Sequence, residues 1–226
     1  MYLKIIVLFV SIVTSSGIWP FTGTQNPGNE VTSDECTKSC LHFEKNATFS
    51  CSNRTCTRYP DEIPDTVKVV ILEVNHITEI DAINCNSLEV LDLSTNKIGS
   101  IKAGLFRSCT KLKHLDLSLN LINTLSNKSF EILTPPDISL QHLDLSDNKI
   151  TILPNDVFHY NLRQSLEFLD LSNNLITRFP DSTFQDLYRL KKLILSSNEI
   201  DQIHPNQFNG KNHVYLNKRQ HRPNPT

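Results

Sequence analysis

Glycine is scarce in this chain of 226 residues, with six in all, and tryptophan and methionine occur once each. So little glycine excludes a collagen-like chain or a Gly-rich disordered one. It also leaves no glycine-rich loop for a phosphate. No serine sits in a G-x-S-x-G frame, so there is no nucleophile elbow. The chain is expected not to be an enzyme and to need no cofactor. Charge of one sign is lacking too: 22 Lys and Arg stand against 24 Asp and Glu. Bulk electrostatics therefore gives no support to binding of nucleic acid or of an anionic membrane. Long apolar runs are also missing, since no segment past the N-terminus approaches the roughly 18 apolar residues that span a bilayer.

The N-terminus reads as an address. Lys4 precedes the apolar "IIVLFVSIV" of residues 5–13, and the small, polar "TSSG" follows. That is the layout of a secretory signal peptide, expected over residues 1–17 and followed by a linker over 18–35. Two further features suit an oxidising, secreted setting. Cys36, Cys40, Cys51 and Cys56 crowd into 21 residues, "CTKSCLHFEKNATFSCSNRTC", a density that implies disulfides in a secreted chain. Glycosylation sequons stand at Asn46, Asn53 and Asn127.

What the chain has in abundance is one six-letter phrase. "LDLSTN", "LDLSLN", "LDLSDN" and "LDLSNN" begin at Leu91, Leu115, Leu143 and Leu169, with looser copies from Val70 and Leu193. Their final residues, Asn75, Asn96, Asn120, Asn148, Asn174 and Asn198, are 21, 24, 28, 26 and 24 residues apart. A leucine lies three residues before each Asn and an isoleucine two after. From the second copy onward a phenylalanine recurs, at Phe106, Phe130, Phe158, Phe184 and Phe208. A period in the twenties is the mark of a solenoid. Alternation in L-x-L puts leucines on one face of a short strand and polar residues on the other. Stacked coils place these strands side by side in a parallel sheet. Where each strand ends, the chain turns inward and buries backbone groups, and an unpaired one costs about 1–3 kcal/mol. An asparagine amide carries both donor and acceptor, so a stack of them can serve two neighbouring coils at once.

The pattern resembles the leucine-rich repeat, L-x-x-L-x-L-x-x-N-x-L, over residues 67–208. The resemblance implies an α/β-type solenoid: a horseshoe of about six repeats with a parallel β-sheet on its concave face. The segment 36–66 is similar to the Cys-rich N-terminal cap of extracellular members, although it lacks the usual early C-x-C, and Cys56 stands where an apolar residue would be expected. With Cys56 as a replacement partner, Cys36–Cys51 with Cys40–Cys56 is favoured among the three connectivities open to four cysteines. Cys85 and Cys109 hold equivalent places one coil apart. They read as two buried thiols, with a bridge as the alternative, since strand spacing is near the lower end of disulfide geometry. Residues 209–226 carry Lys211, Lys218, Arg219 and Arg222 without an L-x-x-L-x-L frame. They read as a flexible basic tail, or as the edge of a truncated longer product.

Function then rests on the outward letters of the strands. One column runs Val69, Val90, His114, His142, Phe168, Lys192, and the next runs Ile71, Asp92, Asp116, Asp144, Asp170, Ile194. An apolar and aromatic line beside charge is how a protein-binding patch is composed, and Phe168 is its natural anchor. Packing of Phe168 on its own neighbours is the competing reading. The aligned aspartates are expected to tolerate one another because they are wet. Two histidines are too few for the three or four ligands of zinc, so no metal is expected. If the histidines touch the ligand, affinity should vary between about pH 5.5 and 7.5. By resemblance to Toll-receptor-like and matrix ectodomains, the expected role is a secreted, extracellular recognition module. Its partner would be a protein, with neither nucleic acid nor a membrane span. The alternative is a matrix or cell-surface component self-associating through its uncapped C-terminal end.

Overall fold

Among the described residues there are nine very short strands, most of them carrying the leucine–polar alternation: β1 (Leu41–Phe43), β2 (Thr48–Ser50), β3 (Val69–Ile71), β4 (Val90–Asp92), β5 (His114–Asp116), β6 (His142–Asp144), β7 (Phe168–Asp170), β8 (Lys192–Ile194) and β9 (Val214–Tyr215). The computed structural model describes residues 36, 40–132, 140–158, 160–202, 208 and 214–215. All described residues belong to one compact unit, Val31–Thr226. The expected signal peptide and linker, the loop 133–139 and most of the basic tail lie outside the described residues.

All nine strands form one sheet in sequence order. β2 through β9 run parallel, and β1 closes the N-terminal edge as an antiparallel partner of β2. The central residue of each repeat strand, from Val70 through Leu91, Leu115, Leu143 and Leu169 to Leu193, is buried. The sheet-and-coil solenoid of the leucine-rich repeat is thus present, with about six turns.

The asparagines make the ladder. In each coil the Asn Nδ2 donates to its own leucine carbonyl and to the leucine carbonyl one coil back: Asn148 reaches Leu145 O at 3.1 Å and Leu117 O at 2.9 Å. Its Oδ1 accepts the amide of an isoleucine in the preceding coil, Ile122 N at 2.9 Å. Asn96, Asn120, Asn174 and Asn198 repeat the arrangement with Ile77, Ile98, Ile150 and Ile176. A second stack runs through the phenylalanines, whose rings lie 5.9–6.3 Å apart and near parallel from Phe106 to Phe208.

The cap is built as a coil of the same solenoid. Asn75 donates to Cys51 O and accepts from Cys56 N, as the other asparagines do with leucine and isoleucine. Cys51 and Cys56 therefore stand in the leucine and isoleucine places. The favoured cap connectivity is corrected: the bonds are Cys36–Cys56 and Cys40–Cys51. The hairpin explains why. Leu41 pairs with Ser50 across β1 and β2, so the next antiparallel pair outward is Cys40 opposite Cys51, with Cα atoms 4.5 Å apart. Cys36 is left for Cys56. Cys85 and Cys109 are joined as well, with Cα atoms 4.6 Å apart. The reading as two free thiols is set aside, because equivalent positions in adjacent coils lie within bonding reach. At the other end, β9 pairs with β8 inside the expected tail. There "VYL" at 214–216 repeats the L-x-L alternation in degenerate form.

Each turn into the ladder has a backbone cost. The residue just before every ladder asparagine is left-handed: Val74, Thr95, Leu119, Asp147, Asn173 and Ser197 have φ of 53–56°. Left-handed backbone costs an ordinary side chain roughly 1–2 kcal/mol, and β-branched residues tolerate it least. Val74 is 46% exposed, so its side chain recovers little by packing.

Val74→Asn should raise stability by up to about 1 kcal/mol, seen as a higher urea midpoint with an unchanged slope. A lower midpoint would mean that the strain is not real. The Cys85→Ala/Cys109→Ala double variant should lose about 3 kcal/mol, as expected for a loop of this length. Peptide mapping without reduction should recover all three bonds as paired above.

Candidate functional site

Register turns sequence columns into physical rows. His114 pairs with His142, His142 with Phe168, and Phe168 with Lys192 across β5 to β8. Their side chains are in contact. The His114 and His142 rings are 5.5 Å apart, and His142 stacks flat on Phe168 at 4.0 Å and 3°. Lys192 Nζ sits 5.1 Å from the centre of the Phe168 ring. Phe168 is thus held between a ring and a cation, and turns an edge rather than a face outward. Val69 and Val90 continue the row toward the cap on β3 and β4.

The aspartates line up beside it, Asp92 with Asp116, Asp116 with Asp144 and Asp144 with Asp170. Each is fixed by a turn that the sequence reading overlooked. Oδ1 accepts the backbone amide of the serine two residues on, at 2.8–2.9 Å, from Ser94, Ser118, Ser146 and Ser172. Ser118 and Ser172 add their hydroxyls. The D-x-S spacing in "LDLS" was the available signal, because Asp readily accepts a hydrogen bond from the backbone two residues ahead. These aspartates are structural as well as outward-facing.

The expectation of wet, independent carboxylates is corrected by their environment. Burial, and then the charge of Asp116, push Asp144 up to about 7 against the hydrogen bonds of Ser146. Burial and Asp116 push Asp92 up to about 6. Asp116 is raised mainly by burial. The histidines move the other way. Burial, then His114 and Lys192, bring His142 down to about 4, and burial followed by Lys113 lowers His114. Asp92 and Asp144 therefore change charge between pH 5.5 and 7.5, and His142 stays neutral through that range.

A third column, one residue upstream, escaped sequence reasoning although it recurs at the same offset. Glu89 lies between Lys68 at 3.1 Å and Lys113 at 2.8 Å, and Glu167 meets Lys191 at 2.7 Å. The hydrogen bond from Lys113, then that from Lys68, holds Glu89 below its usual range. Elsewhere, the sulfurs of Cys36, Cys40 and Cys51 lie within 4.8 Å of one another, like a metal cluster. All three are in disulfides and have no thiolate to offer. The sequon residues Asn46, Asn53 and Asn127 are exposed. Among the described residues, no helix is long and apolar enough to cross a membrane.

Known proteins share this architecture. A family profile described as "Leucine rich repeat" matches residues 86–134 and 164–217, and another described as "Leucine Rich Repeat" matches 139–160. Leucine-rich repeat-containing protein 3 of Danio rerio is 35% identical over 86 residues, covering 36% of this chain and 32% of that protein. The match thus spans about a third of that relative. The crystal structure of human 5T4 (Wnt-activated inhibitory factor 1, Trophoblast glycoprotein) superposes with a TM-score of 0.54 at 27% identity, covering 79% of this chain and 80% of that one.

Raised carboxyl and lowered imidazole pKa values have opposite effects on stability. An aspartate that is raised when folded loses its contribution as pH climbs from about 4 toward the folded value. A lowered histidine loses its contribution as pH falls from about 6.5. Asp144→Asn, compared with the parent in material free of N-glycans because the change writes an N-L-S sequon, should therefore gain stability as pH rises from about 5 to about 8. His142→Phe should gain as pH falls from about 7 to about 5. Urea melts across that range check both, and a pH-independent difference for Asp144→Asn would contradict the burial of its carboxylate.

Proposed function

We propose that this chain, which belongs to the leucine-rich-repeat family, is a secreted recognition module that binds a protein partner through the concave, outward face of its sheet. The observation that carries the reading is the contiguous row His114–His142–Phe168–Lys192 on a rigid sheet, bordered by the aspartates. A surface already ordered by its own contacts pays little entropy on binding. Aromatic residues amid charge also suit the composition of interface centres. Its aspartates are committed to serine amides, which fits a binding surface better than a reacting centre.

Extracellular residence is supported by three disulfides, which persist in oxidising compartments, and by the exposed sequons. Glycans at Asn46, Asn53 and Asn127 would leave β3 to β8 bare, since no sequon lies in those strands.

Recovery of a partner from extracellular fluid with the mature chain, followed by affinity measurement on variants, tests the reading. Phe168→Ala should weaken binding by about 1–2 kcal/mol, with Asn127→Gln nearly unchanged and thermal melts confirming that both fold. Loss of binding in Asn127→Gln with retention in Phe168→Ala would move the site to the opposite flank. Oligomers that grow with concentration and ignore Phe168→Ala would favour self-association.

A further inference from the structure

Among the described residues, the four aspartates of the sheet face have no cation of their own. None makes a salt bridge among the described residues, and the nearby Lys68, Lys113 and Lys191 are already paired with Glu89 and Glu167. Lys192 lies over the Phe168 ring instead. Each carboxylate is held in one orientation through Oδ1 by its serine amide. Four carboxyl groups therefore stand on adjacent strands, about 4.8 Å apart, beside a row of ring edges. The column is a line and not a cage: the only trio of ligand atoms within 4.8 Å among the described residues is the cysteine group. A calcium ion takes six to eight oxygens converging on one point, water included. A line of separate carboxylates is complementary to a line of separate positive charges.

Resting on the sheet-face reading above, we propose that the partner presents a basic segment, with two or more Lys or Arg side chains over Asp92, Asp116, Asp144 and Asp170 and its apolar atoms against the His114–His142–Phe168 edges. An acidic column that has no salt bridge among the described residues selects opposite charge on the other side and rejects acidic partners. Arginine suits the site especially, because its planar head can donate two parallel hydrogen bonds to a carboxylate while its methylene stem lies against the ring edges. Because Asp144 is raised to about 7 and Asp92 to about 6, a basic partner displaces protons from them below those values, so binding releases protons and strengthens as pH rises. The other charged groups facing this column are Glu73 near Asp92, Lys192 near His142 and Lys113 near His114.

The test is calorimetric titration of the full chain with capped tetra-arginine, capped tetra-glutamate and calcium chloride at about pH 8 and about pH 5.5. The proposal expects tetra-arginine alone to bind, about tenfold more tightly at the higher pH, with proton release in between. Asp116→Asn/Asp144→Asn, produced like the parent in a host without N-glycosylation because each change writes an N-L-S sequon, keeps the acceptors for the serine amides and should weaken it about tenfold. No binding of tetra-arginine, equal binding to the double variant, equal binding of tetra-glutamate, or calcium binding that the double variant abolishes would each overturn it. With a partner recovered from extracellular fluid the two readings separate. Sensitivity to Phe168→Ala without sensitivity to the aspartate variant would refute the basic segment and keep the face. Insensitivity to both would refute the face itself.

Discussion

The side-chain amide of asparagine is the interaction on which the rest of the molecule depends. Each turn of this solenoid buries backbone groups at the point where a strand ends, and leaving even one unpaired costs about 1–3 kcal/mol. Asn148 satisfies the carbonyls of Leu117 and Leu145 and the amide of Ile122 with one small side chain. No other residue of that size both donates twice and accepts. Asn75 uses the same contacts to join the cap, through Cys51 and Cys56, to the first repeat. The left-handed residue before each asparagine is the geometric condition for placing the amide, and even Val74 and Thr95 accept it.

The register that the ladder sets also makes the surface. Because every strand ends at the same step, residues with the same letter fall beside one another, and four separate side chains become the stack from His114 to Lys192. The same alignment brings four carboxyl groups together in one row, where burial and then the charge of Asp116 raise Asp92 to about 6 and Asp144 to about 7. Serine two residues on from each aspartate offsets part of that cost. Structure and surface are therefore not separable in "LDLS": leucines build the core, serine fixes the aspartate, and the aspartate faces outward.

Much of this could be read from the letters, because a repeat writes its own contact map. The ladder asparagines, the phenylalanine stack and the two sheet-face columns follow from equal spacing alone. The disulfide pairing did not, because it depends on a hairpin register, Leu41 to Ser50, that occurs once and so has no repeat to reveal it. The role of the serines was present in the D-x-S spacing but looked like ordinary surface polarity. Charge states were illegible for another reason: a sequence shows that His142 and Asp144 lie near one another, not that both are partly withdrawn from water. The strand at Val214–Tyr215 was missed because its copy of the motif has Arg219 in the register of the ladder asparagine.

Amide hydrogen exchange on Asn148→Ala tests the ladder most directly. The account predicts that Ile122 N–H, which Asn148 accepts, loses protection first, together with the coils on either side. Ile77 N–H, held by Asn96 two coils away, should keep its protection. Unchanged exchange at Ile122, or an equal loss at every isoleucine of the ladder, would contradict the claim that each amide holds its own pair of coils together.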